Sequence, residues 1–286
     1  MTSLALQNPA AASPRLSLGR FLAVLAAALL LVWTGVPLLM AVLWSLVDPD
    51  RPWSHPDFLP PSLSLAQWEY VFTYSSIGRA VTTSFTIAPL ATLLAFILSL
   101  PTAYALGRYS FPGKEILKLL ILLPIVMPGM VVALFLSRAF DMLGLSQSLF
   151  GLVLGHTLLG MPFMLRILAT AFEAIPQDLI DAARNLGAGW PALVGRVLVP
   201  MVLPGLYAGA IFTFITSLEE FNLTFVIGTP TFETIPTVLF GYLGYHFVRT
   251  NAAVVSIILM VPSVVLLFIA ERYLKTEYLS SAFGKL

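Results

Sequence analysis

The residues that could do chemistry in this 286-residue chain are few and far apart. Cysteine is absent, so there is no thiol nucleophile, thiolate metal site or disulfide. His55, His156 and His246 are too scattered to suggest a metal centre. His156 stands in an apolar run and reads as a hydrogen-bonded packing residue. The chain has no Gly-x4-Gly-Lys-Ser/Thr phosphate loop, since Gly284-Lys285-Leu286 lacks the hydroxyl residue. His-Glu-x-x-His and Gly-x-Ser-x-Gly are missing too. No catalytic site, cofactor or bound metal is expected. Two places remain of interest. Glu219 and Glu220 are adjacent acids inside an apolar run, with Asn222 close behind. Ionisable groups in a membrane are expensive and often functional. Counted from Pro204, Glu219 lies about 24 Å along a helix axis, toward the outer interface. Either the acids sit at the rim in contact with headgroups or water, or Glu219, Glu220 and Asn222 line an outer vestibule that attracts a cationic solute such as a polyamine. The second place is the segment around Asp181 and Gly187.

The composition says what must position these residues. Hydrophobic residues make up 58% of the chain and charged residues only 10%. A soluble fold needs far more charge to coat its surface. A soluble enzyme, a disordered chain and a nucleic-acid binder are thereby excluded, and a net charge of +1 is too small to steer polyanions. The fold class is an all-α membrane protein. Spanning a bilayer takes roughly 20 apolar residues. Six runs qualify: Phe21–Val47, Ala80–Leu106, about Ile116–Ser137, about Leu149–Leu165 (extending toward Ala171), about Pro204–Ile227, and Ala252–Ala270. The first is too long for a signal-peptide core and reads as an uncleaved span. Of the 15 Lys and Arg residues, eleven fall on the side of the two termini and the second and fourth loops. That places both termini in the cytoplasm. Three regions follow: a cytoplasmic segment 1–20, a six-span domain 21–271, and a cytoplasmic tail 272–286.

The cytoplasmic loop at about 172–203 carries helix punctuation. Pro176 and Asp178 suit a first turn. Leu179, Ala182, Ala183 and Leu186 recur at helical spacing, so they form one apolar stripe. Gly187 follows where a helix can end in a left-handed residue. The stripe packs on the chain's own loops, lies on the lipid surface, or docks a cytoplasmic partner. Gly151–Gly155 and Gly205–Gly209 are small-residue pairs suited to close helix approach, within the chain or between subunits.

Asp181-Ala182-Ala183, three residues, Gly187, nine residues, and Val197-Leu198-Val199-Pro200 together resemble the cytoplasmic "EAA" loop of binding-protein-dependent ABC importer permeases. Asp181, Val197 and Val199 are conservative departures from that pattern. Ser217-Leu218-Glu219-Glu220-Phe221, Gly228-Thr229-Pro230 and Glu233-Thr234-Ile235-Pro236 are most similar to the spermidine/putrescine branch. The resemblance implies a type I importer permease of six spans with a short coupling helix between spans four and five. It implies that Leu179, Asp181, Ala182, Ala183, Leu186, Gly187 and Pro200 couple to an ATPase. Leu179 and Leu186 would be anchors, the alanines would permit close approach, Gly187 would allow the turn, and Asp181 would cap the helix or pair with a basic group. The implied partners are a second permease, two ATP-hydrolysing subunits and an extracytoplasmic solute-binding protein, in a bacterial inner membrane. A stand-alone secondary transporter is the alternative. It should show internal repeats with broken helices and polar groups near the midplane.

Overall fold

The computed structural model describes residues 18–283, with side chains described through residue 272. Expectations placed on Arg15 and on Gly284-Lys285-Leu286 lie outside the described residues. Helices dominate: α1 (Leu18–Ser45), α2 (Ala66–Tyr74), α3 (Ile77–Arg108), α4 (Lys114–Val126), α5 (Gly129–Met142), α6 (Leu149–Glu173), α7 (Gln177–Asn185), α8 (Trp190–Leu193), α9 (Val199–Glu219), α10 (Ile235–Phe240) and α11 (Arg249–Phe283). Five helical stretches are long and apolar enough to cross a bilayer, and six if α4 and α5 count as one.

The centre of the bundle is α3, α6 and α9, which pack against one another. On α3, Ala80, Ser84, Ala88, Ala91, Ala95, Ser99 and Ala103 are all buried. They recur every three or four residues, so one whole face of α3 is small. Small faces let helices approach closely where lipid provides no hydrophobic drive for association. Gly107 continues the stripe. A Cβ there would lie 2.6 Å from Phe172 Cβ and 2.7 Å from the Ala169 carbonyl of α6. Gly205 and Gly209 of α9 approach Ala171 and Met164 of α6 in the same way, and Gly155 faces Leu223. These glycines serve internal packing. α1 packs against α11 at the edge, and its apolar side chains are exposed over most of their length.

Three of the expected spans differ in form. The third is not straight: α4 and α5 meet at Met127-Pro128 with a bend of 102°. Pro128 lacks an amide hydrogen and biases Met127 to an extended backbone. Met127 has ψ 144° and Pro128 starts α5. The fourth runs on to Glu173, so Arg166 is helical rather than in a loop. The fifth begins far earlier than Pro204. Its helical stretch runs from Trp190 to Glu219, which leaves only 174–189 between spans. Pro200, expected as part of the loop pattern, therefore stands inside the helix. The preceding turn, Val194–Leu198, is widened, with the Val199 amide bonding the Val194 carbonyl. A widened turn absorbs the bond that proline cannot make. The fifth span also ends at Glu219 and does not continue through Ile227 as one helix. Glu220 is extended (φ −68°, ψ 123°) before a second widened turn at Thr224–Gly228.

Candidate functional site

α7 stands at one end of the bundle, joined to α6 by a short extended linker at Pro176. Ile180 is its buried anchor, at 4% exposed. Ile180 sits in a cluster with Phe172, Ile175, Leu193 and Leu198, and Ala183 packs against that cluster. Tyr104 of α3 ties the region together, its ring edge-on to Phe172 and to Trp190 at 5.4 and 5.6 Å. The other face of α7 looks outward. Leu179 is 47% exposed and Leu186 88% exposed. Ala182 is exposed between them.

Both ends of α7 are held by the backbone. At its start, Arg108 Nη1 donates to the carbonyls of Phe172 (3.2 Å) and Ile175 (2.7 Å). Nη2 donates to Gln177 Oε1, and Gln177 Nε2 donates to Asp181 Oδ1 at 2.9 Å. The C-terminus of span two thus grips the entry of α7. At the other end Gly187 takes φ +81°. Its amide bonds the Arg184 carbonyl at 2.9 Å, and the Ala188 amide bonds Ala183 at 3.0 Å. That double closure needs a left-handed residue, which glycine adopts without a Cβ penalty.

Of the sequence-derived residues, Leu179, Asp181, Ala182, Ala183, Leu186 and Gly187 come together on or just after α7. Two corrections apply. The apolar residues do not share one face, because Ala183 turns inward with Ile180 while Leu179, Ala182 and Leu186 turn outward. Asp181 does not cap the helix start. It lies a full turn inside, and the dipole effect falls off within the first turn; Asp178 occupies the first turn instead. Pro200 lies apart, in the helical run. The missed residues are Ile180 and Arg108. Ile180 carries a helical-spacing signal with Ala183, outside the stripe of Leu179, Ala182, Ala183 and Leu186. Arg108 belongs by sequence to the charges of the second loop, and nothing local marks it as a clamp.

The opposite end holds Glu219, Glu220 and Asn222, each in a different setting. Glu219 is exposed at the end of α9. Glu220 turns inward, its side chain 8% exposed. Its carboxylate accepts the Leu223 amide at 2.7 Å and the Thr224 amide at 3.1 Å, capping the turn after the break. His156 of α6 lies behind it. Its ring nitrogens meet Ser217 Oγ at 2.8 Å and Thr224 Oγ1 at 2.9 Å, and Nε2 lies 3.9 Å from Glu220 Oε2. Asn222 approaches the start of α5, where a Cβ on Gly129 would lie 2.6 Å from its Nδ2. The paired acids expected to face a vestibule are therefore separated. Glu220 spends both oxygens on the break, because buried amides without partners are costly.

Fold and site together define a polytopic helical membrane protein, with an anchored amphipathic helix presented at one end. The chain belongs to the family of binding-protein-dependent transport system inner membrane components, whose model matches residues 99–277. It is a permease subunit of an ABC importer. A probable molybdenum ABC transporter permease of Haloferax volcanii is 36% identical over 163 residues, which cover 54% of this chain and 61% of that protein. The molybdenum transport system permease of Escherichia coli is 31% identical over 209 residues, 68% of this chain and 91% of that one. The spermidine/putrescine transport system permease of Haemophilus influenzae is 27% identical over 174 residues, 61% and 68% of the two chains. Among solved structures, a bacterial ABC transporter involved in the import of the acidic polysaccharide alginate shares the fold. Its TM-score is 0.74 at 17% identity, over 92% of this chain and 98% of that chain. The MetNI methionine transporter aligns with a TM-score of 0.58 at 21% identity, over 70% and 95%.

Proposed function

We propose that this chain forms one half of the solute pathway of an ATP-driven importer and that α7 is the helix through which ATP hydrolysis elsewhere moves the spans. In this reading it pairs with a second, paralogous permease subunit. Two ABC ATPase subunits dock on the α7 side, and an extracytoplasmic solute-binding protein delivers the solute to the other. The α7 side is cytoplasmic, with both termini, in a bacterial inner membrane. The coupling stretch is 172–203, with Pro200 at the point where its motion enters α9. ATP is used by the partners, and this chain binds no cofactor itself.

One observation carries the reading. Leu179, Ala182 and Leu186 form an exposed apolar face on a helix whose inner face is locked by Ile180 and whose ends are fixed by Arg108 and Gly187. A rigidly mounted face can transmit displacement; a loosely held one cannot. The solute in this reading is a small organic cation of the polyamine kind. The Glu219–Phe221 and Gly228–Pro236 stretches support it, as does the relative named for spermidine and putrescine. Glu219 and Asn222 then contact the pathway, and Glu220 holds its break.

The test is co-purification and uptake. The native complex should bring an ATP-hydrolysing subunit with it. Gly187→Trp should abolish uptake with membrane insertion intact. Normal uptake by that variant, or a complex with no ATPase, would end the proposal.

A further inference from the structure

On the face opposite α7, a cleft of about 830 Å³ opens between α2, the stretch after Gly228 and the start of α11. Tyr70 and Tyr74 stand on one wall with ring centroids 5.4 Å apart. Tyr242 and Tyr245 stand on another. Glu233 contributes a half-buried carboxylate that makes no ion pair among the described residues. Among the described residues no lysine or arginine lines the cleft, and His246 is its one basic side chain. Asn251 lines it as well, at 5% exposed, and its Oδ1 has no hydrogen-bond partner. A buried amide oxygen without a donor is uncommon and calls for one.

We infer that this cleft is a holding subsite for an organic ammonium ion, resting on the permease reading above. An ammonium group supplies three things that the lining lacks. Its N–H donates to Asn251 Oδ1. Its charge meets Glu233. Its carbon-bound hydrogens and charge lie against tyrosine faces, whose quadrupole attracts cations within about 6 Å of the ring centre. An oxyanion would meet the Glu233 carboxylate, with the His246 imidazole as the one group of the lining able to carry positive charge. A neutral polyol would satisfy Asn251 but leave the carboxylate unanswered. Arg79 lines an adjoining cleft of about 400 Å³ together with Glu233, without reaching ion-pair distance. It offers Glu233 a replacement cation once the solute has moved on.

The experiment is equilibrium dialysis of labelled spermidine and of tetramethylammonium against the purified complex in lipid nanodiscs. Both should bind saturably, spermidine more tightly because tetramethylammonium has no N–H for Asn251. Glu233→Gln and Tyr242→Ala should each weaken spermidine about tenfold, or 1.4 kcal/mol. Tyr242→Phe, which keeps the ring face, should stay within about twofold of the parent. Asn251→Leu should weaken spermidine without lowering the thermal midpoint. Excess maltose or molybdate should not compete. Wild-type binding by Glu233→Gln, or displacement of spermidine by maltose or by molybdate, would overturn the inference. The Gly187→Trp complex, uncoupled but intact at this face, should still bind. Cation binding by a complex that brings no ATPase would sink the importer reading alone. A coupled complex indifferent to cations would sink the cleft and the polyamine solute while leaving the importer reading standing.

Discussion

Arg108, the last residue of α3, donates a hydrogen bond of 2.7 Å to the carbonyl of Ile175, the residue before the proline that immediately precedes α7. Two spans far apart in sequence are thereby joined at the root of the coupling helix. The same guanidinium reaches Phe172 and Gln177. A planar fork with five donors suits such a cluster of acceptors better than an ammonium does.

Arg108→Ala should therefore lower uptake and ATPase stimulation by tenfold or more, on the order of 1.5–3 kcal/mol for a charge-assisted hydrogen bond. Insertion should be unaffected. Arg108→Lys should fall between the two, since one ammonium cannot hold all three acceptors. Full activity in the alanine variant would mean that α7 keeps its place without this clamp.

The two faces of α7 should separate cleanly. Ile180→Ala removes a buried anchor and should destabilise the protein by about 2–4 kcal/mol, read as a lower thermal midpoint. Leu186→Ala, at a fully exposed position, should leave the midpoint alone and reduce ATPase co-purification. A shared drop in midpoint for both variants would contradict an outward docking face.

His156, Ser217, Thr224 and Glu220 form one polar set around the break after α9. His156→Leu takes the ring partner from the Ser217 hydroxyl and leaves the Thr224 hydroxyl only its 3.4 Å bond to Glu220, which should cost roughly 1–3 kcal/mol. Glu220→Ala strands the Leu223 and Thr224 amides at a similar cost. Because Thr224 is common to both, the double variant should lose less than the sum of the singles. Strict additivity in thermal unfolding would show that the residues act separately.

The small face of α3 should tolerate no bulk. Ala91 is fully buried and its carbonyl accepts from Thr157 Oγ1 of α6 at 3.4 Å. Ala91→Leu should destabilise by about 1–3 kcal/mol through overpacking. Leu93→Ala, on the exposed side of the same helix, should be near neutral in thermal unfolding. Equal effects at the two positions would deny the close α3–α6 approach.

Much of this was written in the chain itself. Apolar runs long enough to span a bilayer, the sided distribution of cations, and a helix at Gln177–Asn185 ended by Gly187 are all local properties. They follow from residue type and spacing, since a bilayer sets the required length and a glycine sets the left-handed turn. Other features depended on neighbours. Pro89, Pro101, Pro162 and Pro262 all lie inside continuous helices, whereas Pro128 marks a bend of 102°. A freed carbonyl in a membrane helix can be satisfied by neighbouring helices or local rewinding, so the residue alone does not decide its effect. The same holds for Glu220 and Ile180. Only the packed bundle brings His156 of α6 behind that acid, and only the cluster around Phe172 turns Ile180 inward while Leu186 faces out. Period and composition state which residues can be buried together; which surface each one meets is decided by helices that are remote in sequence.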